Sequence, residues 1–203
     1  SHKPLLELLL DKMSEQGVNR FVINVHHLAG QIRTFIKDYL ERKGLPIQIA
    51  VSDESQLLLD TGGAIREARS LLDHAEPFLV HNVDILSNLH LDDLYSRHKE
   101  SDLATLLVSQ RDTPRQLLFD KQWHLVGWTN TQKGEFRWVR EAYPMKDCMM
   151  RAFAGIHIMS PLVMPLMDPW PRIFSVWVLN PEPAFHLPQC LHLPIKDWTV
   201  RQW

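Results

Sequence analysis

The sequence predicts an α/β fold: an open, mostly parallel sheet with helices on both faces and a small antiparallel addition. Two observations carry the prediction. Four short apolar segments, Arg20 to Val25, Ile47 to Val51, Pro77 to Val83 and Leu103 to Val108, have the length and residue types of buried strands. Segments of helical periodicity separate them, and a strand-helix-strand rhythm closes into parallel pairs through crossover connections. The 203 residues are enough for one ordinary domain with an appendage.

The elements follow in order. Leu5, Leu6, Leu8, Leu9, Leu10 and Met13 are dense enough for a largely buried helix, and Gly17 supplies its C-terminal stop. After the Arg20 to Val25 strand, Leu28, Ile32, Phe35, Ile36, Tyr39 and Leu40 mark one face of a second helix, ended by Lys43-Gly44-Leu45-Pro46. Ile47 to Val51 is a strand, Gly63 to Leu72 a helix, Pro77 to Val83 a strand, Leu91 to His98 a helix and Leu103 to Val108 a strand. The rhythm then changes. Leu117 to Phe119, Trp123 to Trp128 and Phe136 to Val139 read as antiparallel additions, and Ala152 to Met159 as a buried strand containing one glycine. Eight of the 13 prolines lie after Ser160 and all eight glycines before it, so the tail has no clean helix or strand period.

Composition excludes several classes. Hydrophobic residues at 45% and charged residues at 23% argue against disorder, collagen and coiled coil. Net charge is −2 with no block of like charges, which gives no reason to expect nucleic acid or an anionic membrane as partner. No apolar run approaches the roughly 18 residues of a membrane-spanning helix. Cys148 and Cys190 form no Cys-x-x-Cys pair, as suits a reducing, cytoplasmic setting. The chain opens on Ser1-His2-Lys3-Pro4 rather than Met and reads as a fragment.

Two motifs carry candidate chemistry. Asp60-Thr61-Gly62-Gly63 follows an acidic loop, Ser52 to Ser55, and opens a helix with Thr61 as its expected N-cap. Two residues without side chains at a helix N-terminus let a flat or anionic group lie on bare backbone. The same pair would equally make a tight turn. Phe78 to Asp84 is an apolar strand ending in a carboxylate, where an Asp can hold a divalent cation or cap the following turn. With the Gly-Gly loop one helix and one strand earlier, both features are expected at the same sheet edge. His186, Cys190 and His192 lack a standard zinc spacing, and Asp92-Asp93 fits helix capping.

These residues resemble a known family. Lys3 to Glu7 (KPLLE), Val22 to Ile32 (VINVHHLAGQI), Leu59 to Ile65 (LDTGGAI), the strand ending at Asp84, and Phe153 to Pro161 (FAGIHIMSP) occur in this order in sugar-1-phosphate nucleotidylyltransferases. The likeness covers about Lys3 to Ser175 and is strongest to the bacterial mannose-1-phosphate guanylyltransferase-like and N-acetylmuramate-1-phosphate uridylyltransferase branch. It implies a Rossmann-like fold of the nucleotide-diphospho-sugar transferase type, with a core over residues 1–175 and a tail over 176–203. It also implies transfer of a nucleoside monophosphate from an NTP to a sugar 1-phosphate, with Mg²⁺ as cofactor and pyrophosphate as co-product. By the same resemblance Gly62 and Gly63 lie beside the base, with Glu54, Thr61 and Asn82 on the nucleotide. Asp84 is the catalytic carboxylate and metal ligand, and Ala154 and Gly155 border the sugar. The family has Gly where this chain has Val83. Its G-x-G-x-R-x-x-P phosphate loop would precede Lys3, and its second metal carboxylate has only Asp197 as a match. Those departures keep open a non-catalytic nucleotide- or sugar-binding relative, while a glycosyltransferase of related fold would want Asp-x-Asp where Asp84-Ile85-Leu86 stands. The apolar, Trp-rich tail leaves a homo-oligomer open.

Overall fold

The computed structural model describes residues 3–56, 59–72, 76–139, 143–167 and 200–202. They form two compact units, the first built on residues up to 72 and the second on residues 76–166 with 200–202. Among the described residues no helix is long and apolar enough to cross a membrane.

In the first unit, α1 (Leu5–Glu15), β1 (Arg20–Val25), α2 (Ala29–Lys43), β2 (Gln48–Asp53) and α3 (Asp60–Glu67) follow one another, and a 3-10 turn, Ala68–Leu71, extends α3. The expected stops are in place. Gly17 has φ +89°, and Gly44 caps α2 with φ +58° while its N–H donates to Leu40 O at 3.1 Å, backbone states that cost glycine little. β1 and β2 pair in parallel over Arg20↔Gln48 to Val25↔Asp53. Leu10, Met13, Val25, Ile36, Tyr39, Ile65 and Ala68 are buried here. Polar groups join α1 to α2: Arg42 grips buried Glu7 through two bonds of 2.9 and 3.0 Å. Asp11 accepts from Lys43 Nζ at 2.9 Å, Lys3 Nζ at 3.0 Å and the Tyr39 hydroxyl at 3.1 Å. The Arg42 hydrogen bond holds the Glu7 carboxyl below its ordinary value, while burial and the Asp11 carboxylate push the Tyr39 phenol up to about 12.

The second unit contains β3 (Phe78–His81), β4 (Ile85–Ser87), α4 (Leu91–Tyr95), β5 (Ala104–Ser109), β6 (Arg115–Phe119), β7 (Leu125–Asn130), β8 (Glu135–Trp138), β9 (Met149–Met159), all of α5 (Met164–Met167) but its last residue, and β10 (Val200–Gln202). β9 organises it. β3 and β5 pair antiparallel with the same stretch of β9, His157 to Met159, and therefore lie on its opposite edges, while β6 takes Met149 to Arg151. β6, β7 and β8 continue as an antiparallel meander, and β4 pairs with β10.

The structure corrects the predicted sheet. Only β1 and β2 are a parallel pair among the described strands. β3 and β5 run in the same direction, as a strand-helix-strand unit requires, but β9 lies between them with the opposite direction. β9 comes some forty residues later in the chain, so local periodicity gives no sign that it separates them. The antiparallel part is thus the larger one, and the architecture is mixed α/β.

Two apolar clusters fill the second unit. Ile85, Leu89, Leu94, Leu107, Ala154, Ile156 and Ile158 form one, and Val108, Leu117, Phe119, Leu125, Trp128 and Val139 the other. Alternation along β9 sends Ala154, Ile156 and Ile158 into the first cluster and turns His157 to the other face.

Candidate functional site

The sequence-predicted residues fall into two clusters, one in each unit, each at the carboxyl ends of strands. In the first unit β1 leads into His26-His27-Leu28 and β2 into Asp53-Glu54-Ser55. Glu54 is buried, at 4% exposure, with both carboxylate oxygens engaged. Asn24 Nδ2 donates to Oε1 at 2.6 Å and Leu59 N to Oε2 at 3.2 Å. The backbone of Glu54 is tied down as well: its N–H donates to Val25 O at 2.7 Å and its carbonyl accepts from His26 Nδ1 at 2.7 Å. Because a carbonyl only accepts, the His26 proton sits on Nδ1 in this bond. Asp53 is fixed likewise, accepting from Arg33 Nη2 at 2.8 Å and from Ser55 N at 2.9 Å, and the guanidinium holds its carboxyl well below the usual range.

These contacts set the start of α3. The helix begins at Asp60 with Leu59 in the N-cap position and no side-chain cap, which corrects the expectation that Thr61 is the N-cap. Thr61, Gly62 and Gly63 lie inside the first turn instead, where backbone N–H groups have no partner within the helix. At Gly63 an added Cβ would come within 2.5 Å of Leu59 Cβ, so glycine there is needed for local packing whatever else the position does. Leu28, at the other carboxyl end, has φ +56° and is 51% exposed. A left-handed leucine that leaves half its surface to solvent recovers only part of its strain by packing.

In the second unit β3 ends at His81 and the chain turns through Asn82-Val83-Asp84-Ile85. Asn82 N donates to Gly155 O at 3.0 Å, and Ile85 N to Asn82 O at 3.2 Å, closing a four-residue turn with Asp84 at its third position. Gly155 has φ +76° and lies in a bulge of β9, where two steps along β5, Leu106 to Val108, oppose four along β9, His157 to Phe153. A Cβ on Gly155 would stand 3.0 Å from both Asn82 Nδ2 and Ile85 Cγ1. The glycine therefore lets the Asn82 side chain lie against the strand. Ala154 beside it is buried in the apolar cluster, whereas Asp84 is half-buried and Val83 is 44% exposed. The turn that carries Asp84 is thus joined through Asn82 to Gly155, next to Ala154. Asp197 lies outside the described residues, as do His186, Cys190 and His192.

Sequence reasoning missed Asn24 as a partner of Glu54 and passed over His81, whose Nδ1–H donates to Asn82 O at 2.7 Å. A polar residue near the end of each apolar strand was the available signal.

The chain is distantly homologous to sugar-1-phosphate nucleotidylyltransferases. It is 37% identical over 82 residues to an N-acetylmuramate alpha-1-phosphate uridylyltransferase of Caulobacter vibrioides, covering 40% of this chain and 33% of that protein. It is 25% identical over 172 residues to the mannose-1-phosphate guanylyltransferase catalytic subunit beta of Dictyostelium discoideum, covering 84% and 45%, and 26% identical over 165 residues to mannose-1-phosphate guanyltransferase beta-A of Xenopus laevis, covering 80% and 43%. The chain thus spans less than half the length of these relatives. A nucleoside-diphosphate-sugar pyrophosphorylase from Vibrio cholerae RC9 superposes with a TM-score of 0.47 at 12% identity, over 75% of this chain and 58% of that one. No family model matches the chain.

Proposed function

We propose that this chain is part of a sugar-1-phosphate nucleotidylyltransferase, in which an oxygen of a sugar 1-phosphate attacks the α-phosphorus of an NTP and pyrophosphate leaves. The single observation that carries the reading is the Asn82–Ile85 turn. It sets a carboxylate at the end of β3 and rests on the bulged Gly155 of β9, in a chain homologous to enzymes named for this chemistry. In this reading Gly62 and Gly63 give bare backbone to the base, and Thr61 and Asn82 contact the nucleotide. Ala154 and Gly155 border the sugar. Glu54 acts through the loop it holds, because its carboxylate oxygens already accept from Asn24 and Leu59.

Among the described residues no three His, Cys, Asp or Glu side chains cluster as a cage for an ion. A single carboxylate on a half-buried turn fits Mg²⁺ nonetheless, since that ion keeps several waters and takes phosphate oxygens as its other ligands. Asp84 would hold it, with Asp197 as the second carboxylate the reading asks for. Bound there, Mg²⁺ would neutralise phosphate charge. The chain's own contribution is positioning: a turn fixed at both ends, and helix-terminal N–H groups available to an anionic ligand.

The test is pyrophosphate release from the protein encoded by the complete reading frame. UTP, GTP, dTTP, CTP and ATP are each offered with Mg²⁺ and a panel of sugar 1-phosphates. At least one pair should turn over, and Asp84→Asn should reduce the rate at least about 100-fold, as loss of charge stabilisation at a reacting phosphate does. No release with any pair removes the catalytic reading. Tight nucleotide binding in that case supports the non-catalytic relative.

A further inference from the structure

We propose that His81 is a positioning residue for Asp84, acting through the carbonyl of Asn82; the inference rests on the reading of Asp84 as a metal-holding carboxylate. The Asn82 carbonyl accepts twice, from Ile85 N at 3.2 Å across the turn and from His81 Nδ1 at 2.7 Å. The first of these bonds closes the turn that carries Asp84, and the second is the shorter. Asn82 N is committed to Gly155 O at 3.0 Å, so the peptide on each side of Asn82 is held by a different partner, one from β9 and one from the last residue of β3. A carbonyl cannot donate, which places the His81 proton on Nδ1. Removing that donor leaves the Asn82 carbonyl with the longer of its two bonds, that from Ile85 N at 3.2 Å. His81 thus helps fix the carbonyl two residues before Asp84, the group on which the turn closes.

The geometry gives an uncommon handle, because an asparagine amide nitrogen occupies the place of imidazole Nδ1 whereas a glutamine amide reaches toward Nε2. His81→Asn therefore keeps the donor and His81→Gln loses it. In the intact chain, amide hydrogen exchange over Asn82–Ile85 is expected to rise about tenfold in H81Q and to stay within about twofold of the parent in H81N. Mn²⁺ is the probe for Asp84, read as the concentration that half-broadens the amide resonances of 82–85. H81Q should raise that concentration about three- to tenfold and H81N less than about twofold, in line with other residues that orient metal ligands. Equal exchange in the two variants overturns the proposal, as does equal Mn²⁺ behaviour where D84N weakens the broadening, and as does a ¹⁵N spectrum with the His81 proton on Nε2. Asp84→Asn separates the two readings. If D84N leaves Mn²⁺ broadening unchanged, the metal reading of Asp84 fails, and the exchange comparison alone then decides whether His81 holds the turn.

Discussion

In the first unit Arg42 grips Glu7, Asp11 collects two lysines and a tyrosine hydroxyl, and Glu54 ties β1, β2 and the start of α3 together. In the second, Phe119, Leu118, Ile156 and Ile158 are fully buried among apolar neighbours, and His157, the buried histidine among the described residues, has no hydrogen-bond partner on either ring nitrogen. The Glu7 and Asp11 networks belong to the contact between α1 and α2; for Glu54 the difference follows from sheet type. A parallel pair places all its strand ends of one kind at one edge, so polar groups converge there and must satisfy one another. An antiparallel sheet alternates its ends and leaves a long interior of side chains in which apolar packing dominates. The first unit should accordingly respond most to the loss of hydrogen-bonding groups, and the second to the loss of volume.

The largest expected effect is a cavity in the second unit. Phe119 is fully buried, with Trp123 tilted against it at a ring-centroid distance of 5.8 Å. Phe119→Ala should destabilise the protein by about 3–5 kcal/mol in urea unfolding, from lost transfer energy and an unfilled cavity. A smaller loss than that of Glu54→Gln would break the comparison.

Next comes pH. Burial lowers His157 from 6.5 to about 4. The native side chain thus stays neutral where the unfolded chain binds a proton, and stability falls as pH drops from about 6.5 toward 4 while staying flat above. The full loss is about 3 kcal/mol, and His98, also lowered by burial, adds to it in the same direction. His157→Leu removes two unpaired nitrogens along with the titration, so it should be no less stable than the parent at pH 7 and lose less between pH 6.5 and 5. Unfolding midpoints at those pH values check this, and an undiminished slope in the variant would assign the loss elsewhere.

How far each region could be read beforehand follows the same division. β1 is the strand the sequence predicts, residue for residue, and Gly17 and Gly44 stop their helices as expected. Those signals are local: periodicity, a positive φ, a cap. β9 was visible as a strand from Ala152 to Met159, but its insertion between β3 and β5 is a long-range pairing that short-range pattern does not encode. β4 is three residues long and is paired by residues at the far end of the chain, which leaves no periodic trace to find. Among site residues picked out by resemblance, Asn82 bonds Gly155, and Asp84 follows two residues later in the same turn. Thr61 was misjudged because Leu59 N bonds Glu54 and α3 starts one residue before Thr61, a tertiary contact prevailing over a capping preference.

The smallest expected effect is the most direct probe of how the first unit is wired. Glu54→Gln preserves shape and replaces one acceptor oxygen by an NH₂ group that faces a donor, either Asn24 Nδ2 or Leu59 N. One orientation opposes two amide donors across the 2.6 Å contact, and the other leaves the Leu59 N–H unsatisfied, so the variant should lose about 1–3 kcal/mol. The loss should be accompanied by faster amide exchange at Leu59 and in the first turn of α3. Adding Asn24→Asp to E54Q restores a donor-acceptor pair with the roles exchanged. If the double variant recovers stability without slowing exchange at Leu59, the carboxylate serves the strands and not the helix start. If both recover, Glu54 is the link through which β1 and β2 fix the residues around Gly62.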